Sequence, residues 1–282
     1  MHPLDGPRLK LSRAEKHLNT IKAEINGFIT KNSYTFTVEA NPTPPNYVIV
    51  VKGKQITPDK ELGVIIGDFA HNARSALDLL ISQLSGFAPD ARERFNLQFP
   101  IFDTIKEYGN HTKSYLAMVA PEHVTIIEGF QPYKRMDGVD KDALGILRAI
   151  NDADKHRIIH VVGTITSFSG LVFSGSGKIG SNTMIGPGTH MKLGGPGVRV
   201  NFGNSFTYAS VGDGIITKDR TVVAEVTSIT PLQVNMQPEI QILVKFGEGS
   251  ARVEGRPVMD TLTFIYDRVK EVIGNFEQFF PT

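Results

Sequence analysis

Two features of the 282-residue sequence predict an α+β fold. Apolar residues recur at three- and four-residue spacing over 8–31, 60–85, 140–162 and 256–280, and short β-branched runs occupy the stretches between. From Gly163 the composition turns to Gly, Ser, Thr and Asn, which marks β structure placed ahead of the last helix. The expected architecture is a four-long-helix bundle with short N-terminal strands and a Gly-rich β insertion. Residues 1–162 would form the helical core with its short strands, 163–255 the insertion, and 256–282 a helix returning to the bundle.

Each element has its own signature. Leu11, Ala14, Leu18, Ile21, Ile25, Phe28 and Ile29 make the stripe of the first helix, with Lys10, Arg13, Lys16 and Lys22 off it. YTFTVEA at 34–40 and NYVIVVKG at 46–53 are β-rich and are separated by NPTPP, which disfavours a helix and predicts a two-strand unit. Helix period returns from Glu61 to Leu84. Beyond GFAPD, FNLQFPIF at 95–102 reads as extended, and 104–118 and 121–129 as short helices, the second opened by Pro121. A helix is expected from Asp140 to about Val162. VRVNF at 198–202, TVVAEVTSI at 221–229 and EIQILVKFG at 239–247 read as strands. Pro257 suits a first helical position, after which Val258, Leu262, Ile265, Val269, Val272, Ile273, Phe276 and Phe280 line one face. No repeat of roughly 20–50 residues is visible, which argues against solenoids and propellers.

Composition narrows the function classes. A hydrophobic fraction of 40% with 21% charge excludes disordered, collagen-like and coiled-coil chains. Thirty Lys plus Arg against 29 Asp plus Glu leave a net charge of +1, so any polyanion site must be local. The absence of cysteine excludes a disulfide frame, thiolate zinc ligands and a Cys nucleophile, and a metal would have to use His, Asp or Glu. No run reaches the roughly 18–20 apolar residues of a membrane helix, and the polar N-terminus is unlike a signal peptide. A cytoplasmic protein with no membrane partner is the expectation.

Two polar helical faces stand out. In the helix at 60–85, Ile66, Phe69, Ala73, Leu77, Leu80 and Leu84 share the core side, while Asp68, His71, Asn72, Ser75, Asp78 and Ser82 lie opposite with Arg74 at the edge. From Leu62 to Ala91 there is no Lys and no Glu, unlike an ordinary solvated face, so this one is expected to be covered or to line a cleft. His71 and Asp78 then have the spacing for acid–base or metal-binding work, with Arg74 stabilising developing negative charge. The alternative is structural: Arg74 pairs with a carboxylate while His71 and Asn72 tie helices together.

The helix at 140–162 has its stripe in Ala143, Leu144, Leu147, Ile150, Ile158 and Val161, and Asn151 and Asp154 fall on it. A carboxylate there needs a partner, for which Arg74 or His71 would serve. His156 and His160 have the i,i+4 spacing by which helical histidines share zinc, although no Glu follows the first one. If the two faces meet, His71, Arg74, Asp78, Asp154 and His156 become catalytic candidates, and Asn72, Asn151, Lys155 and Arg157 substrate-binding ones.

GDFAHNARSALDLLISQL at 67–84 and NDADKHR at 151–157, with FPIF at 99–102 and QPY at 131–133, resemble a group of uncharacterised bacterial and phage-encoded proteins. That group is marked by GDxxHNxRSALDH and NxxDKHR segments, and the resemblance implies no particular activity. A weaker resemblance, to the HEPN ribonucleases, rests on helices carrying an Arg followed four to six residues later by His. Their Arg and His flank the scissile phosphate in metal-independent RNA cleavage. Here Arg74 is in place, but Leu79 stands where the His would fall, so that motif lacks its acid–base group.

Other signals are thin. Gly175-Ser-Gly177-Lys-Ile-Gly180 fits GxGxxG without leading into a helix, and GPGTHMKLGGPG at 186–197 reads as an irregular loop. Neither a GxSxG elbow nor a GxxxxGK[ST] loop is present. His17, His111, His123 and His190 are isolated in sequence and read as surface or packing residues. The leading expectation is a hydrolase acting on a phosphoester or another compact anionic substrate between the helices at 60–85 and 140–162. It requires no cofactor, is compatible with a divalent metal of unknown ligands, and admits a small anion or RNA as partner and a homo-oligomeric state. The alternative is a noncatalytic binding or assembly protein whose His/Asn/Arg/Asp cluster is a structural network.

Overall fold

A computed structural model of the chain describes residues 2–31, 35–42, 45–52, 58–86, 96–175, 190–193, 199–201, 206–209, 214–215, 220–227, 232–249 and 252–280. The fold is α+β, and the chain divides into two compact units: Met1–Ile25, Asp59–Val161 and Phe246–Thr282 in one, Asn26–Pro58 and Val162–Lys245 in the other.

The first unit is helical. Its helices are α1 (Asp5–Lys31, the end of which belongs to the second unit), α2 (Lys60–Leu84), α3 (Ile105–Tyr115), α4 (Pro121–Gly129), α5 (Ala143–Asp154) and α6 (Val258–Gly274). Local chemistry sets their starts. The Asp59 carboxylate accepts from the Glu61 N–H at 3.0 Å. Thr104 Oγ1 accepts from the Glu107 N–H at 3.2 Å, a side-chain N-cap, and donates to the Glu107 carboxylate at 2.9 Å. Pro121 occupies the first turn of α4 as expected. Asp142, fully buried, accepts from the Leu144 and Gly145 N–H groups at 2.9 Å. Gly86, with φ +73°, follows α2 in the left-handed conformation that favours glycine.

Helices α2, α5 and α6 pack against one another around Phe69, Leu77, Leu80, Leu147, Ile150, Leu262, Ile265 and Val269, all nearly or fully buried. Helix α1 adds Leu11, Ala14 and Ile21 to the core. Of the expected helix at 140–162, only the 12 residues of α5 form, so the third long helix is not long. After Asp154 the chain makes a turn and reaches a strand at Val161. The β-branched run Ile158-Ile159-His160-Val161-Val162 prefers extended backbone, and Ile159 is buried with its carbonyl against Gly63 of α2. The His160 carbonyl then accepts from the Gly247 N–H at 2.9 Å. Asp140 lies in a short 3-10 turn, Val139–Lys141, rather than in a helix.

In the second unit, β1 (Thr35–Pro42) and β2 (Pro45–Lys52) form the expected antiparallel two-strand unit, paired from Thr35 with Lys52 to Pro42 with Pro45. The other strands are β3 (Val161–Gly175), β4 (His190–Leu193), β5 (Arg199–Asn201), β6 (Phe206–Ala209), β7 (Gly214–Ile215), β8 (Arg220–Thr227) and β9 (Leu232–Phe246). One sheet has the order β1-β2-β8-β4; another runs β5-β6-β3-β7, with β9 also paired to β3. The N-terminal hairpin thus joins strands from beyond Gly163 in one sheet. The stretch at 186–197 is not wholly irregular, since His190–Leu193 pairs with β8. The GxGxxG positions after Gly175 lie outside the described residues. Among the described residues no helix is long and apolar enough to cross a membrane.

Two glycines one turn apart let α2 approach its neighbours. A Cβ on Gly63 would run into the Ile159 backbone, and one on Gly67 into the Asp154 carboxylate. Alanine raises helix propensity by about 1 kcal/mol, but overpacking costs about 1–3 kcal/mol. Gly63→Ala is therefore expected to lower stability by about 1–2 kcal/mol. Gly67→Ala should cost less, because a side chain can rotate where a backbone cannot. Thermal melts of the two variants check the order.

Candidate functional site

Residues 96–103 cross the helical unit with no regular secondary structure, and Leu97, Phe99 and Ile101 are buried. Buried backbone needs hydrogen-bond partners, and here side chains from two helices supply them. Arg74 and Asp78, one turn apart on α2, form an ion pair at 3.0 Å. Arg74 donates from Nη2 to the Phe99 carbonyl at 2.6 Å and to Gln98 Oε1 at 3.4 Å, while Asp78 accepts from the Phe99 N–H at 2.9 Å. The pair thus holds both polar groups of Phe99, as a neighbouring strand would.

Arg148 on α5 grips the same segment farther along. Its Nη1 donates to the Ile101 carbonyl at 2.7 Å and its Nη2 to Asp103 at 2.5 Å. Arg252 meets Asp103 bidentately, at 3.1 and 2.9 Å. Burial pushes the Asp103 carboxyl up, but the Arg252 hydrogen bonds and the charges of Arg148 and Arg252 outweigh it, and the pKa lies below its ordinary value of 3.8. The Arg252 guanidinium lies so close over Gly145 that a side chain at that position of α5 would displace it.

Between α2, α5 and the clamped segment lies a cavity of about 190 Å³. Arg74, Arg148 and Lys155 bring positive charge to its lining and Asp152 the one carboxylate. Gln98 and Asn151 contribute amides, and Phe99, Ile101, Phe102 and Tyr115 the apolar and aromatic wall. Arg148, Asn151, Asp152 and Lys155 form one stripe at three- and four-residue spacing on α5 and the turn after it. Lys155 also donates to Asp152 at 3.1 Å, with both side chains more than half exposed.

Of the expected site residues, the cavity gathers Arg74, Asn151 and Lys155, with Asp78 held behind Arg74. The others do not line it. His71 is exposed, and Asn72 donates to the Asp68 carbonyl of its own helix at 2.8 Å. The polar face of α2 is therefore not uniformly covered: Arg74 and Asp78 lie under the 96–103 segment, Asp68 and His71 face solvent, and Ser82 is buried. Asp154 rests on Gly67, two turns before Arg74 on α2, and its electrostatic partners are Asp68 and His71. Burial raises its pKa, the Asp68 charge adds to the rise, and His71 opposes it. His156 and Arg157 are exposed beyond the end of α5. His156 and His160 therefore do not share a helical face, and the zinc-like spacing between them has no geometric meaning. Among the described residues no three His, Asp or Glu side chains converge to hold a metal ion. His111 and His123 pack on aromatic rings, as isolated histidines are expected to do.

Sequence reasoning missed Arg148, Gln98, Phe102, Tyr115 and the Asp103–Arg252 pair. Arg148 was legible as the residue one turn before Asn151. Tyr115 and Arg252 become neighbours of the site only through tertiary packing.

Fold and site together define an α+β protein whose helical unit carries a half-open cavity lined by cations and aromatic rings. Comparison with protein-family models, with curated proteins and with solved structures finds no match to the chain.

Two pH responses of opposite sign follow. A carboxyl whose folded pKa is lowered contributes stability above its unfolded pKa, and that contribution is lost as pH falls through the folded value. Asp103→Asn should therefore destabilise by about 2–3 kcal/mol at pH 7, with the difference shrinking below about pH 4. For Asp154 the pKa is raised, so its contribution is present at acidic pH and is lost as pH rises through the folded value. Asp154→Asn should raise the melting temperature at pH 7 and leave it unchanged at about pH 3. Melting curves of both variants across this range check the signs.

Proposed function

We propose that the helical unit binds a compact anionic ligand in the cavity between α2, α5 and the 96–103 segment. The observation that carries this reading is the gathering of Arg74, Arg148 and Lys155 in one lining, each fixed by its own carboxylate, Asp78, Asp103 and Asp152. Arg74 and Arg148 are already oriented by the Phe99 and Ile101 carbonyls, so they need little reorganisation to meet an anion. Lys155, exposed at the end of the α5 stripe, adds a mobile charge at the edge. A phosphate, phosphoester or carboxylate suits this set better than a nucleic-acid polymer, because the chain as a whole carries only +1.

Phosphoester hydrolysis is the second reading, favoured by the setting of Asp154. Its pKa is raised by burial and by Asp68 while the nearby His71 opposes the rise, so a carboxyl and an imidazole influence each other beside Lys155. In that reading His71 and Asp154 move the proton and the cavity cations hold the anion.

Titration with inorganic phosphate at low salt, followed by calorimetry, tests the binding reading. Saturable binding is expected, weakened by added salt and about threefold to tenfold by Lys155→Ala, an exposed change that should leave stability within about 0.5 kcal/mol. Absence of binding at millimolar phosphate overturns it. For hydrolysis, a panel of chromogenic phosphate mono- and diesters and carboxylic esters is expected to give a turnover that His71→Ala abolishes without lowering the melting temperature. Silence across the panel in folded protein overturns the hydrolase reading and leaves the binding reading standing.

A further inference from the structure

The cavity contains a polar group that the fold itself does not use. Asn151 is 8% exposed, lines the cavity, and makes no hydrogen bond among the described residues. Its amide keeps contact with solvent where it lines the cavity, so it is free to meet a ligand there. Its place on α5 says which part of a ligand it meets. It lies one turn after Arg148 and one turn before Lys155 on the same stripe, so the three donors can converge on one oxyanion.

Another part of the lining is aromatic and held in place. Phe102 stacks on His111 with centroids 5.0 Å apart and planes 10° apart; Tyr115 lies 5.7 Å from Phe102 and 5.4 Å from His111. His111 and Tyr115 are one turn apart on α3, and the three rings fix one another before any ligand arrives. Size completes the argument. A closed cavity of roughly 150 Å³ accommodates benzene, so the half-open volume of about 190 Å³ has room for one six-membered ring with a small substituent.

We infer that the ligand of this cavity is a single-ring aromatic anion, its ring against Phe102 and Tyr115 and its oxyanion held by Arg148, Asn151 and Lys155. The inference rests on the anion-binding reading and narrows it to a ligand class, aryl phosphates and aryl carboxylates. Asn151 is the least exposed of the three donors.

Calorimetric titrations of the full chain with phenyl phosphate, benzoate and inorganic phosphate test it. Phenyl phosphate or benzoate is expected to bind at least about tenfold more tightly than inorganic phosphate. Tyr115→Leu should remove most of that advantage while leaving inorganic phosphate binding unchanged. Asn151→Leu, similar in volume, should weaken the aryl anion about tenfold and leave the melting temperature equal or higher, because no internal hydrogen bond is lost. A fall in melting temperature with unchanged aryl-anion affinity would make Asn151 structural and overturn its assignment. Equal affinity for phenyl phosphate and inorganic phosphate, insensitive to Tyr115→Leu, overturns the aromatic inference while anion binding stands. No binding of any probe overturns both. Tight binding of phenyl phosphate alone assigns the source as a phosphate monoester, and equal binding of benzoate extends it to carboxylates.

Discussion

The backbone of residues 96–103 must be satisfied where it crosses the helical unit outside any sheet, and this requirement organises the site. A buried amide pair left without partners costs several kcal/mol, enough to unfold a marginally stable domain. Two helices meet the demand with charged side chains. Arg74 and Asp78 take the two polar groups of Phe99, and Arg148 takes the Ile101 carbonyl. Once those residues are committed to the segment, the space between it and the helices acquires guanidinium groups in fixed positions. The cationic lining of the cavity follows from a structural need.

The Asp103 node extends the same logic. Two arginines from distant parts of the sequence share one carboxylate, and Arg252 also meets Asp140 at 3.5 Å, so the ion pairs there balance in charge. Arg252 reaches it over Gly145, and α2 in turn admits the chain after α5 over Gly63 and Gly67. In each case a missing side chain on a helix lets a backbone or a charged group come within contact distance, and the site depends on those approaches as much as on the residues that face the cavity.

Much of the fold was legible. The starts of α2, α4 and α6, and the pairing of β1 with β2, follow from periodicity, capping residues and a Pro-rich break, all of which act locally. The end of α5 was not. Helix period continues through Ile158 and Val161, but the β-branched run gains more from burying Ile159 against α2 and from the pairing of His160 with Gly247. Tertiary contacts outweighed a weak local preference, and with the helix went the shared face proposed for His156 and His160.

The candidate site was legible in half. Arg74, Asn151 and Lys155 stand out as polar residues on patterned helices, and the cavity includes them. Of the two partners expected for Asp154, Arg74 or His71, the electrostatic influence comes from His71, which stands with Gly67 on the same stripe of α2 as Arg74 but nearer the start of the helix. By itself, the sequence determined which segments are helical, which helix faces are polar, and that a buried charge on α2 or α5 would need a partner. Only the tertiary structure decided which partners meet. Helical period specifies a direction around one axis, whereas the joining of Arg148 to Asp103, or of Asn151 to the wall built by Phe102 and Tyr115, depends on the relative placement of segments that local propensity does not encode.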